Sequence, residues 1–543
     1  MSSIVFLSLL SSLIITMALI PPLMRLAGPL RLIDLPGDRR IHAAPIGRVG
    51  GVALAIGALT AIWLFVPADR LVVSCLAGSL IILAFGVLDD RVSLGFMSKL
   101  LGQGCAAVIA AWYGGARFHC CPLVPDDMVP GWLSLLLTIL VIVSVTNAIN
   151  LADGLDGLAG GLSFISLTGI AYLAYAADDM SVMLIATSLV GGVLGFLRSN
   201  THPARLFMGD SGSQFLGFYL SILIIELTDP SRAHYSSALA PLIVGLPLLD
   251  MAYVMTARFV QGRSPFEGDK THFHHKLLSM GFSQPMAVTI IYVLQTVMIV
   301  SGCLLRWQGD AVVVAVYGIL AAAILFFFVA GSGRWRLVYH GGQQSVGRAM
   351  SGFMQLSRRA RELPIRLLGI GVMSFLLIGA FIPTRVSTDF GYAAAGMVVV
   401  LGLGALVFPR AIPLFVRCGL YVGGAFAVYL CDQSSALFEW PFVDLMNIFF
   451  GLLALLSIIT AWFDQGQRFQ ITPLDYLMVL LALVICTVPG LRLGDADFGL
   501  LTAKLLILFV SFEMMMSAFD RFSTQLGLVS LWLFFALGIR AWS

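Results

Sequence analysis

Three short segments of this chain set carboxylates beside long apolar runs: Asp89 with Asp90, Asp153 with Asp156, and Asp210. A carboxylate at the end of a membrane helix is costly unless something cationic meets it, so acids in this setting point to a metal and phosphate site at a bilayer surface. Asp89 and Asp90, followed by Arg91, close an apolar run, where the helix macrodipole opposes each charge by roughly 0.3–1 kcal/mol and the two also repel. A bound cation offsets both effects; two solvated loop acids balanced by Arg91 are the plainer alternative.

The segment Asn147-Ala-Ile-Asn150-Leu-Ala-Asp153-Gly-Leu-Asp156-Gly-Leu-Ala-Gly-Gly161 breaks two apolar runs with amides, acids and glycines. Glycine permits tight turns and close approach of a ligand, and Asp156 is placed to cap the following helix, which accounts for one acid but not for the string. Leu206-Phe207-Met208-Gly209-Asp210-Ser211-Gly212 precedes another run, and Asp210 is again a candidate N-cap. A fourth segment, Ser264-Pro-Phe-Glu-Gly-Asp269-Lys270-Thr-His272-Phe-His274-His275-Lys276, offers three imidazoles. Without cysteines or an HExxH helix the pattern is a poor zinc site, and hydrogen bonding to a sugar or diphosphate is the better reading. In the first loop, Asp34-Leu-Pro36-Gly-Asp38-Arg39-Arg40-Ile-His42-Ala-Ala-Pro45-Ile-Gly-Arg48, guanidinium groups such as that of Arg40 suit bidentate contact with phosphate oxygens, and His42 joins them as a candidate substrate contact.

The elements that must position these side chains are membrane spans. With 543 residues, 59% of them hydrophobic and only 11% charged, the chain falls outside the soluble globular class. Runs long enough to cross a bilayer are expected near 3–26, 49–66, 70–88, 98–114, 131–150, 157–176, 181–197, 212–228, 236–257, 286–305 and 311–330. The first of them lacks a basic leader and a cleavage site and reads as a retained span. Alternation then puts Arg25, Arg31, Arg39, Arg40, Arg48, Arg91, Lys99 and most other basic residues on one side, against Arg70, Arg117, Arg232 and Arg306 on the other. By the positive-inside rule the N-terminus is outside, and every acid-rich and His-rich loop is cytoplasmic.

A second set of runs is expected near 366–382, 390–408, 411–430, 441–463, 473–490, 498–516 and 523–541, so the fold class is an all-α polytopic membrane protein with about eleven and about seven helices. Between the sets, Arg348, Arg358, Arg359 and Arg361 mark a basic linker over 336–365, either an interfacial helix with Val346, Met350, Phe353 and Met354 on one face or a solvated connection. The ionisable residues of the second set, Arg417, Asp432, Asp464 and Arg468 among them, sit near run ends, where snorkelling or solvent accounts for them. A net charge of +3 gives no case for nucleic acid, and eight cysteines without CxxC spacing give none for a metal cluster; vicinal Cys120 and Cys121 read as ordinary loop thiols.

Taken together, the segments resemble the polyprenyl-phosphate N-acetylhexosamine-1-phosphate transferase superfamily, glycosyltransferase family 4, which includes the bacterial phospho-MurNAc-pentapeptide translocase. The form DKTHFHHKL after SPF is most similar to the WecA/TagO branch, which starts O-antigen, enterobacterial common antigen or teichoic acid linkage units. The resemblance covers residues 1–335 and implies an eleven-helix core in the bacterial inner membrane, with its active site on the cytoplasmic face. It says nothing of 366–543, and Ser93 stands where many relatives of this branch carry a further acid.

Carried over residue by residue, the resemblance implies that Asp210 is a magnesium ligand and that Asp89 and Asp90 flank the metal and the acceptor phosphate, Asp90 as a second ligand; manganese is an alternative ion. Asn150 and Asp153 would line the diphosphate region, with Lys99 near the phosphates. Asp156 would hydrogen-bond uracil, Phe207 would stack on it, and His272, His274 and His275 would face the sugar-phosphate side.

The implied reaction is transfer of GlcNAc-1-phosphate from a UDP-N-acetylhexosamine to undecaprenyl phosphate with release of UMP. Other UDP-N-acetyl sugars are an alternative. So is a different class, an ion-coupled transporter; acids clustered in loops instead of strung across the bilayer disfavour it. A homodimer or a downstream glycosyltransferase are candidate partners besides the bilayer. A phosphate monoester with a second pKa of about 6 is largely dianionic at pH 7. Direct attack helped by charge neutralisation is therefore expected over general-base help from Asp89 or a covalent aspartyl intermediate.

Overall fold

The computed structural model describes residues 2–34, 45–118, 129–229, 235–264, 271–333, 358–383, 386, 388–407, 412–435, 441–464, 492–493, 496–518 and 520–542. They form two units, one reaching to Gly333 and one starting at Arg358. Arg40, His42, the Cys120–Cys121 pair, most of the expected 336–365 linker and the expected run 473–490 lie outside the described residues.

In the first unit the apolar runs become α1 (Ser2–Ala27), α2 (Gly50–Phe65), α3 (Arg70–Val92), α4 (Phe96–Val108, continued by a wider turn over Ile109–Tyr113), α5 (Gly131–Ala152), α6 (Leu158–Ala176), α7 (Met180–Asn200) and α8 (Gly209–Leu227). Two two-residue strands, β1 (Ile33–Asp34) and β2 (Ile46–Gly47), pair antiparallel between α1 and α2. Beyond α8 come α9 (Ala240–Ile243), α10 (Gly245–Val260), the short α11 (Phe273–Ser279), α12 (Gln284–Leu304) and α13 (Asp310–Gly333).

Among the described residues, eight helices are long and apolar enough to cross a membrane, or nine if one bent pair counts as a single span, so this is a multi-pass membrane protein. That bent pair corrects the expected continuous run over 236–257: Ser237–Ile243 and Gly245–Val260 meet at 81°. A break inside a membrane protein leaves backbone groups that lipid cannot satisfy. Here side chains do so. Gln295 of α12 donates to the Ile243 carbonyl at 2.6 Å and accepts the Leu246 amide at 3.3 Å, while Ser166 of α6 donates to the same carbonyl at 2.7 Å.

α8 is the centre of the unit. It packs against α2, α3, α5, α6 and α7, and every residue from Ser211 to Leu227 is buried. Asp210, Gln214 and Glu226 make it less apolar than a lipid-facing span, a composition tolerable because other helices enclose it. Its N-terminus is therefore held from several sides at once.

The second unit comprises α14 (Arg358–Gly379), α15 (Thr388–Val407), α16 (Ile412–Ser435), α17 (Pro441–Asp464), a strand pair β3 (Arg492–Leu493) and β4 (Ala496–Asp497), α18 (Phe498–Ala518) and α19 (Asp520–Trp542). Leu368, Phe375, Phe450, Phe512 and Phe534 build its core. Asp432 is not a solvated run-end acid: it is buried and accepts from Lys504, itself only 2% exposed, at 2.5 Å. Arg417 likewise reaches Glu513 across the α16–α18 interface at 3.5 Å. Solvation is the wrong account for Asp432, which packing sets against an opposite charge in the neighbouring helix, whereas the Arg417 side chain is 39% exposed and keeps the solvent contact expected of it.

Candidate active site

The acids gather around the first turn of α8. Asp90, in the last turn of α3, accepts the backbone N–H groups of Asp210 at 2.9 Å and Ser211 at 3.2 Å. The charge that its own helix dipole opposes thus sits on the positive end of another helix. Chain entry into α8 depends on Gly209, whose φ is +72° and whose Cβ, if present, would lie 2.5 Å from Asp90 Oδ2. Asp210, expected as a possible cap, does not cap α8. Its N-cap residue Met208 makes no side-chain bond, and the Asp210 carboxylate accepts instead from Lys99 Nζ at 2.8 Å and Asn150 Nδ2 at 2.6 Å.

Lys99, near the start of α4, also pairs with Asp89, so one ammonium bridges the acids that end α3 and begin α8. Asp89 accepts the Leu94 amide at 2.6 Å besides. It is therefore not a solvated acid balanced by Arg91. Asn150 donates a second bond to Ser213 at 2.9 Å, and beneath it runs a buried amide chain in which Asn147 donates to Gln103 at 2.6 Å and Gln103 to Gln214 at 3.0 Å. Arg48 completes the cationic side, 2.5 Å from Asp34 and 4.0 Å from Asp90.

The loops lock together through backbone as well. Phe207 donates to Gly47 at 2.9 Å and accepts from Gly50 at 3.0 Å, so the segment before α8 lies beside β2. Asn200 ties the same segment to the Asp153–Asp156 turn, accepting the Gly157 amide and donating to the Leu206 carbonyl, each at 2.9 Å. Asp156 does not cap α6, whose N-cap Gly157 makes no side-chain bond. Its Oδ2 takes His202 Nδ1 at 2.8 Å and the Ala204 amide at 3.1 Å.

The histidine segment reaches this cluster at Gly154. A Cβ there would lie 2.4 Å from His274 Nε2, so only glycine lets the imidazole approach the Asp153–Asp156 turn so closely. His272 stacks on His274 with centroids 5.6 Å apart, His275 lies 4.3 Å from His274, and His272 Nδ1 is 2.8 Å from Asp250 Oδ2. Burial first, then the neighbouring imidazoles of His275 and His272, push the His274 pKa down to about 3. A neutral ring there suits hydrogen bonding, not charge pairing.

Asp153 is the C-cap residue of α5 and is exposed. The protein packed around it, then the charges of Asp210 and Asp90, raise its pKa above the usual carboxylate range.

The structure thus joins Asp89, Asp90, Lys99, Asn150 and Asp210 by direct bonds, and links Asp153, Asp156, Phe207, His272, His274 and His275 to them through the surrounding loops. Asp250, Asn200, His202, Gln214 and the bonding of Gln103 escaped the sequence reading. The available signal was a lone polar residue inside or ending an apolar run, most plainly Asp250 in PLLDMAY.

No three His, Cys, Asp or Glu side chains converge as a metal cage among the described residues. Magnesium does not need one, since it is held by one or two carboxylates plus substrate phosphates and water. The carboxylates here outnumber the facing cations Lys99 and Arg48 among the described residues, which suits a divalent ion. Of the two expected ligands, the Asp210 side chain is 29% exposed, whereas that of Asp90 is 1% exposed with both oxygens on α8 amides.

A family model, glycosyl transferase family 4, matches residues 72–228, from α3 to the end of α8. A probable undecaprenyl-phosphate N-acetylglucosaminyl 1-phosphate transferase of Bacillus subtilis is 33% identical over 301 residues, 55% of this chain and 83% of that protein. The chain belongs to glycosyl transferase family 4. A decaprenyl-phosphate N-acetylglucosaminephosphotransferase of Mycobacterium tuberculosis is 33% identical over 319 residues, 52% of this chain and 78% of its own length. An undecaprenyl-phosphate alpha-N-acetylglucosaminyl 1-phosphate transferase of Escherichia coli K12 is 26% identical over 316 residues, 56% and 84% of the two chains. In this family 4 protein the matched stretch carries Asp89, Asp90, Lys99, Asn150, Asp153, Asp156 and Asp210, and it lies wholly within the first unit.

Proposed function

We propose that this family 4 protein transfers an N-acetylhexosamine-1-phosphate group, with UDP-GlcNAc as donor, to undecaprenyl phosphate at the cytoplasmic face of a bacterial inner membrane. What supports the reading is the bonded set Asp89–Lys99–Asp210–Asn150 at the first turn of α8, with the imidazole of His274 against Gly154 beside it. The names of the relatives from Bacillus subtilis and Escherichia coli support the same acceptor and sugar.

In the proposed reaction an oxygen of the acceptor phosphate attacks the sugar-bearing phosphorus of the donor. That P–O bond forms as the bond to the bridging oxygen breaks, and UMP leaves with the electron pair. With a second pKa of about 6 the acceptor is already mostly dianionic at pH 7, so Asp89 is not required as a base. The barrier lies in bringing anions together and in line. Lys99 supplies a cation between two acids, Asn150 fixes the Asp210 carboxylate, and Asp90 anchors the helix end from which Asp210 projects. The neutral His274 and its neighbours offer hydrogen bonds at the sugar-phosphate end. Magnesium, held by Asp210 and flanked by Asp90, would supply charge neutralisation for the donor diphosphate.

Residues 1–335 act as the transferase core in this reading, 336–365 as a basic linker, and 366–543 as an added membrane region. The testing experiment is UMP release by purified protein in detergent with undecaprenyl phosphate, magnesium and a panel of UDP-GlcNAc, UDP-GalNAc and rarer UDP-sugars. Release with UDP-GlcNAc foremost is expected. A preference for another sugar would overturn the donor assignment, and no release with any of them would overturn the enzyme.

A further inference from the structure

Asp250 has no part in the reaction as set out above, yet its surroundings are those of a working residue. It sits in α10, six residues past the 81° break, and is buried. A carboxylate taken out of water needs its lone pairs occupied, and this one has both oxygens engaged. Oδ2 lies 2.8 Å from His272 Nδ1, and Oδ1 accepts the Phe273 backbone N–H at 2.8 Å. The second bond satisfies an open amide at the start of α11, which lacks a side-chain cap of its own. The first has a chemical consequence. An ionised carboxylate only accepts, so the bond requires the proton of His272 to be on Nδ1, leaving Nε2 as the atom that can meet a ligand. His272 in turn stacks on His274, and His274 touches Gly154 in the turn that carries Asp153 and Asp156.

We propose that Asp250 is a positioning residue for the donor: it fixes the tautomer and orientation of His272, and through the stacked ring the seat of His274 beside Gly154. This rests on the transferase reading for the identity of the donor, but not for the tautomer. The carboxylate–imidazole pair is a recurring way to set which ring nitrogen faces a ligand.

Asp250→Asn separates this role from simple anchoring. The amide oxygen still accepts the Phe273 N–H, but the amide nitrogen now donates to Nδ1 and forces the proton onto Nε2. Two measurements follow. In protein labelled with 15N-histidine, the His272 ring, assigned by its loss in His272→Gln, should be the Nδ1–H form in the wild type and the Nε2–H form in Asp250→Asn.

In the UMP assay, kcat/KM for UDP-GlcNAc should fall by about 10–100-fold, while the KM for undecaprenyl phosphate and the melting temperature stay at wild-type values. Asp250→Glu should recover part of the loss. An Nε2–H ring in the wild type, or a variant that keeps full donor kcat/KM, would overturn the proposal. So would a loss shared equally by both substrates together with a lowered melting temperature, since that is what a purely structural anchor gives. A wild type inactive on every UDP-sugar would sink the transferase reading while leaving the ring measurement to decide the positioning role.

Discussion

Replacing Gly209 by alanine tests the packing at the heart of the site. The residue has φ +72°, where an L side chain costs about 1–2 kcal/mol. The new Cβ would also lie 2.5–2.8 Å from the Asp90 carboxylate atoms. That carboxylate has nowhere to go, being enclosed and bonded to the Asp210 and Ser211 amides. Displacing it forfeits two hydrogen bonds to a charged group, about 1.5–3 kcal/mol each. Gly157→Ala is the matched control. Its φ is +79°, and the nearest atom to its Cβ is Tyr292 Oη at 3.3 Å, a contact eased by a shift of a few tenths of an ångström, so it carries much less beyond the backbone cost than Gly209→Ala does.

Gly209→Ala should therefore be less stable than Gly157→Ala by about 3 kcal/mol or more, a gap of roughly 6–12 °C at about 2–4 °C per kcal/mol. It should also lose most UMP release, because Asp210 follows the displaced helix end. Thermal unfolding of both variants in the same detergent, followed by tryptophan fluorescence, reads the difference. Melting temperatures within about 2 °C of each other would refute the claim that Asp90 and the α8 terminus are locked together.

Three further outcomes are expected. His274 has its pKa lowered from 6.5 to about 3, so the unfolded chain takes up a proton first as pH falls. Its contribution to stability is full above pH 6.5 and is lost at about 1.4 kcal/mol per unit between 6.5 and 3. His274→Gln should accordingly flatten the drop in melting temperature between pH 7 and pH 5, and an unchanged drop would contradict the burial of that ring. Lys504→Met removes the cation 2.5 Å from the buried Asp432 and should lower the melting temperature, costing up to about 3–5 kcal/mol of stability. Adding Asp432→Leu should restore most of it, and equal melting of the single variant and the wild type would refute the pairing. His202→Ala removes one of the bonds that orient Asp156 and should raise the KM for the UDP-sugar while sparing that for undecaprenyl phosphate; equal changes in both would refute it.

The helices were legible because a bilayer demands long apolar runs, and α1 to α8 fall near where hydrophobicity puts them, although α2, α4 and α8 are too short or too polar to count among the membrane-crossing helices. The break at Val244–Gly245 was not, because averaging over a span hides a turn whose carbonyl and amide are satisfied by Gln295 and Ser166, far away in sequence. The acids of the site stood out since each is anomalous beside apolar helices. Their partners did not: Asp156 bonding His202 instead of capping α6, and Asp90 capping α8 from α3, are tertiary facts without local periodicity. The second unit hid its charges for the same reason, as Asp432 and Lys504 meet only once α16 and α18 pack.

The most direct test of the central claim is magnesium-dependent UMP release by Asp210→Asn beside the wild type, with UDP-GlcNAc and undecaprenyl phosphate in detergent. Because Asn150 and Lys99 both converge on that carboxylate, the account predicts turnover at background level in a variant that still folds. A variant with the wild-type rate and the wild-type dependence on magnesium would contradict it.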